Sequence, residues 1–150
     1  MPVTNRETET DARRAVMALC AAATTDELGR ALTGLGAPEA EDLRAPEIGL
    51  VMATGRIGGD GRPFNLGEVS VTRAAVRLTD GRTGFAYHLG RDRCRARQAA
   101  ILDALWQGDR RGVEAALAPV ARRRAEEAAA EARRTAATRV DFLTLARGED

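Results

Sequence analysis

One stretch near the middle of the chain limits its possible folds more than any other. In VTRAAVRLTDGRTGFAYHLGRD, residues 71–92, an Asp80-Gly81 pair separates two runs that are rich in apolar and β-branched residues. Asp-Gly in this position is typical of a type I′ turn, in which both central residues have positive φ. We therefore predict a β-hairpin. With the apolar run EIGLVMATG upstream, it would form an antiparallel sheet of three or four strands.

Helical patterns flank the predicted sheet on both sides. Before it, apolar residues recur at helical spacing from Asp11, and Thr24 with Glu27 forms a capping-box pattern that opens a second helix. After it, Asp92 can cap a helix that runs to about Gln107, and a further helix follows. This order predicts an α+β fold with an N-terminal helical hairpin, a small antiparallel β-sheet containing the Asp-Gly hairpin, and C-terminal helices.

The length of 150 residues fits a single domain, residues 1–150. Residues 1–10 are polar, and we expect them to be frayed. The last helical segment is alanine-rich and highly charged, which is typical of a helix that faces solvent or lies against a partner. Residues 135–150 become apolar again and are too short to fold alone. We interpret them as a partner-docking tail.

The composition predicts a thin hydrophobic core. Hydrophobic residues make up 44% of the chain, but many of them are alanine and only five residues are aromatic. Burial of a large apolar side chain contributes about 1.5–3 kcal/mol, and burial of a methyl group contributes much less. We therefore expect another chain to cover some of the apolar faces.

Charge and composition exclude several classes of protein. The 23 basic residues, all arginine, nearly balance 22 acidic ones, so no overall field favours nucleic acid or a membrane surface. No apolar run approaches a signal peptide or the roughly 18 residues of a membrane span. We predict a cytoplasmic protein. One histidine and two cysteines do not suffice for a four-ligand metal site, so none is predicted. Both cysteines are interpreted as small buried side chains.

The first strand of the predicted hairpin carries two candidate functional side chains. Arg73 and Arg77 lie four residues apart on a strand, so they share one face. If the other face packs on the helices, both arginines point away from the core. They then either face solvent or bind a carboxylate or phosphate, including one from a partner chain. Period and composition leave both possibilities open.

The second strand of the predicted hairpin has an apolar face and a face of small residues. Phe85, Tyr87 and Leu89 alternate with small residues, and we expect their face to meet the helices. His88 would then be exposed or covered by a partner. A lone strand histidine is more often structural than catalytic. A stand-alone enzyme that uses His88 with Arg73 and Arg77 stays open as an alternative.

Several separate blocks of the sequence resemble the PhnG family, a subunit of the bacterial carbon–phosphorus lyase system. The long run from EIGLVMATG to the hairpin resembles the centre of that family. The blocks TRAAVRL, GRD, ILDAL and RVDFLTLARG follow in the family's order and at similar spacing, over roughly residues 12–149. Such blocks in register are more specific than any single motif.

The resemblance implies a function as a subunit. The family belongs to a core complex with PhnH, PhnI and PhnJ, in which it occurs as two copies. With these partners it supports transfer of a phosphonate such as methylphosphonate to ribose C1′ of ATP, which releases adenine and forms α-D-ribose 1-methylphosphonate 5-triphosphate. ATP is a substrate of the complex, and no cofactor is expected on this chain. We expect a non-autonomous transferase subunit; a purely structural assembly scaffold is the alternative.

The resemblance gives no catalytic residue. The family blocks and the single histidine give ten candidates for a partner interface or an anion site. They are Glu47, Arg73, Arg77, His88, Arg91, Asp92, Arg139, Asp141, Phe142 and Arg147.

Overall fold

The fold is α+β, as the order of sequence patterns predicts. A computed structural model describes residues 3–138, with side chains from residue 8 onward. α1 begins before the predicted helix start at Asp11 and includes most of the segment that was expected to be frayed. The elements are α1 (Val3–Ala22), α2 (Thr25–Gly34), β1 (Ala40–Arg56), β2 (Pro63–Leu78), β3 (Thr83–Leu89), α3 (Arg93–Trp106) and α4 (Arg110–Ala137).

The three strands form one antiparallel sheet in the order β1-β2-β3. β3 pairs with β2 only over residues 71–77, whereas β1 pairs with β2 along nearly its whole length. Beyond β3, residues 50–56 and 63–70 therefore continue as a two-stranded ribbon, which we call the arm. Leu50 pairs with Ser70 at its base, and Arg56 pairs with Pro63 near its tip.

The turn between β2 and β3 differs from the predicted type I′ turn. Among its residues only Gly81 has positive φ, at +92°, so Asp80 does not adopt the left-handed conformation that a type I′ turn requires. The Gly81 N–H donates to the Leu78 carbonyl at 2.9 Å, and the Leu78 N–H donates to the Arg82 carbonyl at 2.8 Å. The connection is a three-residue loop with glycine at the left-handed position, which is the next most common hairpin type.

The face of β3 that meets the helices is the opposite of the one predicted. Phe85, Tyr87 and Leu89 point outward and are 56%, 56% and 69% exposed. Gly84 lies against α3, and a Cβ built on it would come within 1.9 Å of the Ala100 carbonyl oxygen. Small side chains allow α3 to approach the sheet this closely, whereas aromatic rings on this face would hold it away.

The core lies between the inner face of the sheet and the four helices. α3 supplies buried alanines, of which Ala100 and Ala104 lie against Gly84 of β3, and the fully buried Trp106. Of the cysteines, Cys20 is buried as predicted, and burial raises the pKa of its thiol to about 12. Cys94 is exposed at the start of α3, contrary to the prediction, because it lies on the outer side of that helix.

Ion pairs join the helices to each other and to the sheet, and in two of them the carboxylate is largely buried. Asp103 of α3 is buried and accepts two bonds of 2.7 Å from the Arg13 guanidinium of α1, and a third of 2.9 Å from the Phe85 N–H of β3. Arg123 of α4 donates to both carboxylate oxygens of Glu27 in α2, at 2.8 and 2.9 Å. The predicted capping box of Thr24 and Glu27 is confirmed.

The Glu27–Arg123 pair makes the free energy of unfolding depend on pH in the acidic range. Hydrogen bonds from Arg123 hold the pKa of Glu27 at about 2, against an ordinary value of 4.5. Because the folded-state pKa is the lower one, this stabilisation is complete above about pH 4.5 and is lost as the pH falls toward 2. We expect Glu27→Gln to lower the free energy of unfolding by roughly 1–2 kcal/mol at neutral pH.

The difference between Glu27→Gln and the unchanged chain should shrink in urea titrations carried out from pH 5 down to pH 2.5. Glu126→Gln is the matched control, since Glu126 is exposed on the same helix as Arg123. A constant difference in unfolding free energy across this pH range would contradict the stabilising role of the Glu27–Arg123 pair.

Candidate interface and anion site

Arg73 lies on the outer face of the sheet, as predicted, and its carboxylate partner comes from the same chain. Pairing of β1 with β2 places Glu47 beside Arg73, and the Arg73 Nε donates to Glu47 Oε1 at 2.6 Å. A register shift between Arg44 and Glu47 brings Arg44 Nη1 to the same oxygen, at 2.5 Å. Hydrogen bonds from Arg44 and then Arg73 hold the pKa of Glu47 below its usual range.

Arg44, Glu47 and Arg73 form a small cationic cluster with two guanidinium groups and one carboxylate. All three side chains are about half exposed, at 51%, 45% and 51%. The cluster therefore carries one excess positive charge that solvent or a partner can reach. It suits a carboxylate or phosphate, because arginine offers paired N–H donors to such groups.

A cleft of about 540 Å³ adjoins this cationic cluster at the β3 side of the sheet. Its wall combines the two guanidinium groups with apolar and aromatic side chains, so it suits an anionic group carried next to an apolar one. The lining residues are Met17, Arg44, Arg73, Ala74, Ala75, Phe85, Ala86, Tyr87 and His88.

Arg77 shares the outer face with Arg73 but lines a different cleft. Its nearest carboxylate is Glu41, at 3.9 Å, and both side chains are exposed. The second cleft, of about 690 Å³, also contains Arg97, which is bound to Asp42 at 2.7 Å. The structure therefore does not bring Arg73 and Arg77 together around one ligand.

Arg91 and Asp92 lie at the junction of β3 and α3. Asp92 caps α3, as predicted, and accepts the Arg95 N–H at 2.8 Å and the Thr25 hydroxyl. The Arg95 N–H, followed by the Thr25 hydroxyl, holds the pKa of Asp92 below its usual range. Arg91 is exposed and donates to the Ser70 hydroxyl at 3.3 Å. Asp92 therefore stabilises the fold, and Arg91 is the accessible member of the pair.

His88 is buried, which contradicts the expectation that it would be exposed or covered by a partner. It is 2% exposed, and among the described residues neither ring nitrogen has a hydrogen-bond partner. Burial, followed by the charge of Arg95, lowers the pKa of the imidazole. A neutral ring with inaccessible nitrogens is poorly placed for proton transfer, which argues against the stand-alone enzyme.

Burial of His88 should give stability a pH dependence of its own. The folded-state pKa lies below the ordinary value of 6.5, so the unfolded chain takes up the proton first and stability falls as the pH drops below about 6.5. His88 is the only histidine, which leaves the interval from pH 7 to 5 free of others. We expect His88→Leu to flatten unfolding free energy over this interval, measured by urea titration. An unchanged slope would contradict the prediction.

The remaining candidates, Arg139, Asp141, Phe142 and Arg147, lie outside the described residues, as does most of the predicted docking tail. Sequence reasoning missed two residues of structural or site importance. Arg44 reaches Glu47 only because of an irregular register, which no pattern signals. Asp103 had a signal, since an acidic residue stands inside the apolar stretch ILDAL.

The described part of the chain offers neither a metal site nor a membrane-spanning helix. Between residues 8 and 138, no three His, Cys, Asp or Glu side chains are grouped so that they could hold a metal ion. Within residues 3–138, no helix combines the length and the apolar character needed to cross a bilayer.

The fold and its surfaces define a small α+β protein with exposed apolar and cationic faces, the class of protein that contacts other chains. Residues 11–148 match the family described as phosphonate metabolism protein PhnG, and the chain belongs to that family. A curated relative from Rhizobium meliloti (strain 1021) is the alpha-D-ribose 1-methylphosphonate 5-triphosphate synthase subunit PhnG. It is 52% identical over 141 residues, which cover 92% of this chain and 90% of the relative.

Proposed function

We propose that this chain is a cytoplasmic subunit of the carbon–phosphorus lyase core complex. Together with PhnI, PhnH and PhnJ, and in two copies per complex, it supports transfer of a phosphonate to ribose C1′ of ATP. Adenine leaves and α-D-ribose 1-methylphosphonate 5-triphosphate forms. The observation that carries this proposal is the 52% identity to a subunit of that synthase over nearly the full length of both chains.

The exposed surfaces support a role that depends on other chains. Phe85, Tyr87 and Leu89 form an outward apolar stripe that a monomer would leave in contact with water. The cationic cluster and its cleft lie next to this stripe. Cationic groups beside aromatic ones are typical of protein interfaces, where arginine and tyrosine are enriched.

The same geometry supports a scaffold as the second candidate. Arg73 is already bound to Glu47, and the ring of His88 is buried where a substrate does not reach it. A co-catalytic role requires Arg73 to turn part of its guanidinium toward a substrate anion in the assembled complex. A scaffold requires only that the surface binds its neighbour.

Reconstitution of the complex with Arg73→Ala tests the proposed function. Arg111→Ala is the matched control, since Arg111 is an exposed arginine on α4, away from the cluster. Co-purification ratios report assembly, and adenine release from ATP and methylphosphonate reports turnover. At least a tenfold loss of turnover in a fully assembled complex would indicate a co-catalytic role. Unchanged turnover would indicate that the chain serves only as a scaffold. Failure of the unchanged chain to co-purify with its partners would overturn the proposal.

A further inference from the structure

The two edges of the sheet are protected to very different degrees. At the β3 edge, side chains take up three of the outward backbone groups. Asp103 accepts the Phe85 N–H at 2.9 Å, Gln107 donates to the Thr83 carbonyl at 2.7 Å, and Arg95 donates to the Leu89 carbonyl at 2.9 Å. This is a usual way to keep an edge strand from pairing with another chain.

The β1 edge is protected only over its first half. Arg97 donates to the Ala40 carbonyl at 2.8 Å, and two register shifts interrupt the strand before Glu47. Pro46 within this region has no N–H to offer. From Ile48 to Gly55 the strand carries no charged residue, and its register is regular as far as Ala53. Among residues 8–138, no side chain bonds to this second half.

The ladder shows which backbone groups of β1 face outward. The N–H of Phe85 points away from β2, to Asp103, so hydrogen-bonded and outward residues alternate along β3 from that point. Successive residues of β2 likewise bond alternately to β3 and to β1, and the backbone groups of Val71 point toward β1. Val71 pairs with Gly49, which therefore bonds to β2.

The residues that alternate with Gly49 and Val51 along β1 accordingly direct their N–H and C=O groups to the free edge. They are Ile48, Leu50 and Met52, and their side chains are 38%, 58% and 53% exposed. From Leu50 onward they belong to the two-stranded arm, which has no third strand to support it. Isolated two-stranded ribbons are only marginally stable in water.

We propose that this edge of β1 pairs with the same edge of a second copy of the chain, antiparallel, about a two-fold axis at Val51. Val51 would face Val51 of the second copy, and Leu50 would face its Met52. The pairing satisfies the outward groups of both strands and converts two arms into one four-stranded ribbon. It supplies the contact between the two copies in the complex, and in that respect rests on the proposed function.

The sequence of the edge favours a second copy as the occupant. Two identical strands paired antiparallel are related by a two-fold axis, so one patch serves both copies. In this register every pair from Ile48 to Thr54 joins uncharged residues, and Glu47 lies opposite Gly55. No like charges meet, which is a condition for stable pairing between strands.

A disulfide at the axis tests the pairing. Opposed residues that do not exchange hydrogen bonds lie about 4.5 Å apart at Cα, within the range that a disulfide spans. Val51→Cys, in a chain with the exposed Cys94 replaced by serine, should become a covalent dimer under mild oxidation. Val69→Cys is the matched control. Val69 pairs with Val51 inside the sheet and would lie about three strand spacings from its equivalent, so it should not cross-link.

Leu50→Pro provides a second, non-covalent readout. Proline at an outward position of an edge strand removes a donor without breaking the ladder to β2. It should reduce the mass measured by light scattering from dimer to monomer, with a urea midpoint close to that of the unchanged chain at a dilution where that chain is monomeric.

The measurements should be made on the full chain alone and in the reconstituted complex. A Val51→Cys chain that stays uncross-linked in an assembled, adenine-releasing complex would overturn the pairing while leaving the proposed function intact. So would a disulfide to a different subunit, or a Leu50→Pro chain that remains dimeric. Loss of co-purification with PhnI by the unchanged chain would instead count against the proposed function.

Discussion

Gly84→Ala is expected to lower the free energy of unfolding by about 3 kcal/mol or more, because β3 and α3 are in direct backbone contact there. A Cβ at this position would lie 1.9 Å from the Ala100 carbonyl oxygen and 2.6 Å from the Ala104 nitrogen. Both are backbone atoms of α3 and cannot move aside as a flexible side chain would. The whole helix would have to shift, which would open the interface between α3 and the sheet.

Urea unfolding followed by tryptophan fluorescence measures this effect, since Trp106 is the only tryptophan and is 1% exposed. Gly49→Ala is the control, because nothing lies within 4 Å of a Cβ at Gly49 in the same sheet. Its free energy of unfolding should change by less than about 1 kcal/mol. Equal midpoints for both variants would show that α3 does not approach β3 as closely as described.

The second large effect is expected at Asp103, which joins three elements through one buried carboxylate. Asp103→Ala removes two bonds from Arg13 and the acceptor of the Phe85 N–H. A donor left without a partner in a buried site is costly, and the Arg13 guanidinium, whose side chain is 42% exposed, also loses its counter-charge. We expect a loss of about 3 kcal/mol in unfolding free energy, with β3 loosened around Phe85, near the start of the strand.

Asp11→Asn is the matched control for Asp103. Asp11 pairs with Arg14 at 3.2 Å on the surface of α1, with both side chains more than two-thirds exposed. Exposed pairs of this kind contribute about 0–1 kcal/mol. Hydrogen exchange at the Phe85 amide offers a local readout, and it should accelerate in Asp103→Ala but not in Asp11→Asn. Similar losses of stability in the two variants would contradict the role assigned to Asp103.

The local chemistry of the chain made much of the fold predictable. The capping box at Thr24, the cap at Asp92 and the periodicity of α3 depend on residues close in sequence, and each is found where the pattern placed it. The outward direction of Arg73 follows from alternation along β2, together with the apolar character of the face that carries Val76.

Predictions that depended on tertiary packing were wrong. Apolar character suggested that Phe85 and Tyr87 would face the core, but α3 presents alanines and leaves no room for aromatic rings. Because His88 alternates with Tyr87 along β3, the outward direction of the aromatic rings also places His88 on the buried face. In the candidate site, the pairing of Glu47 with Arg73 needed the register of β1 against β2, and Arg44 joined them through an irregularity. Such features follow from contacts between distant residues, which one sequence does not display.

We expect this chain to work only as part of an assembly, and adenine release tests this dependence most directly. ATP and methylphosphonate should be incubated with the purified chain alone, with PhnI, PhnH and PhnJ alone, and with all four together. We expect adenine and α-D-ribose 1-methylphosphonate 5-triphosphate only from the complete mixture. Adenine released at a comparable rate by the chain alone, or by the partners without it, would contradict the claim.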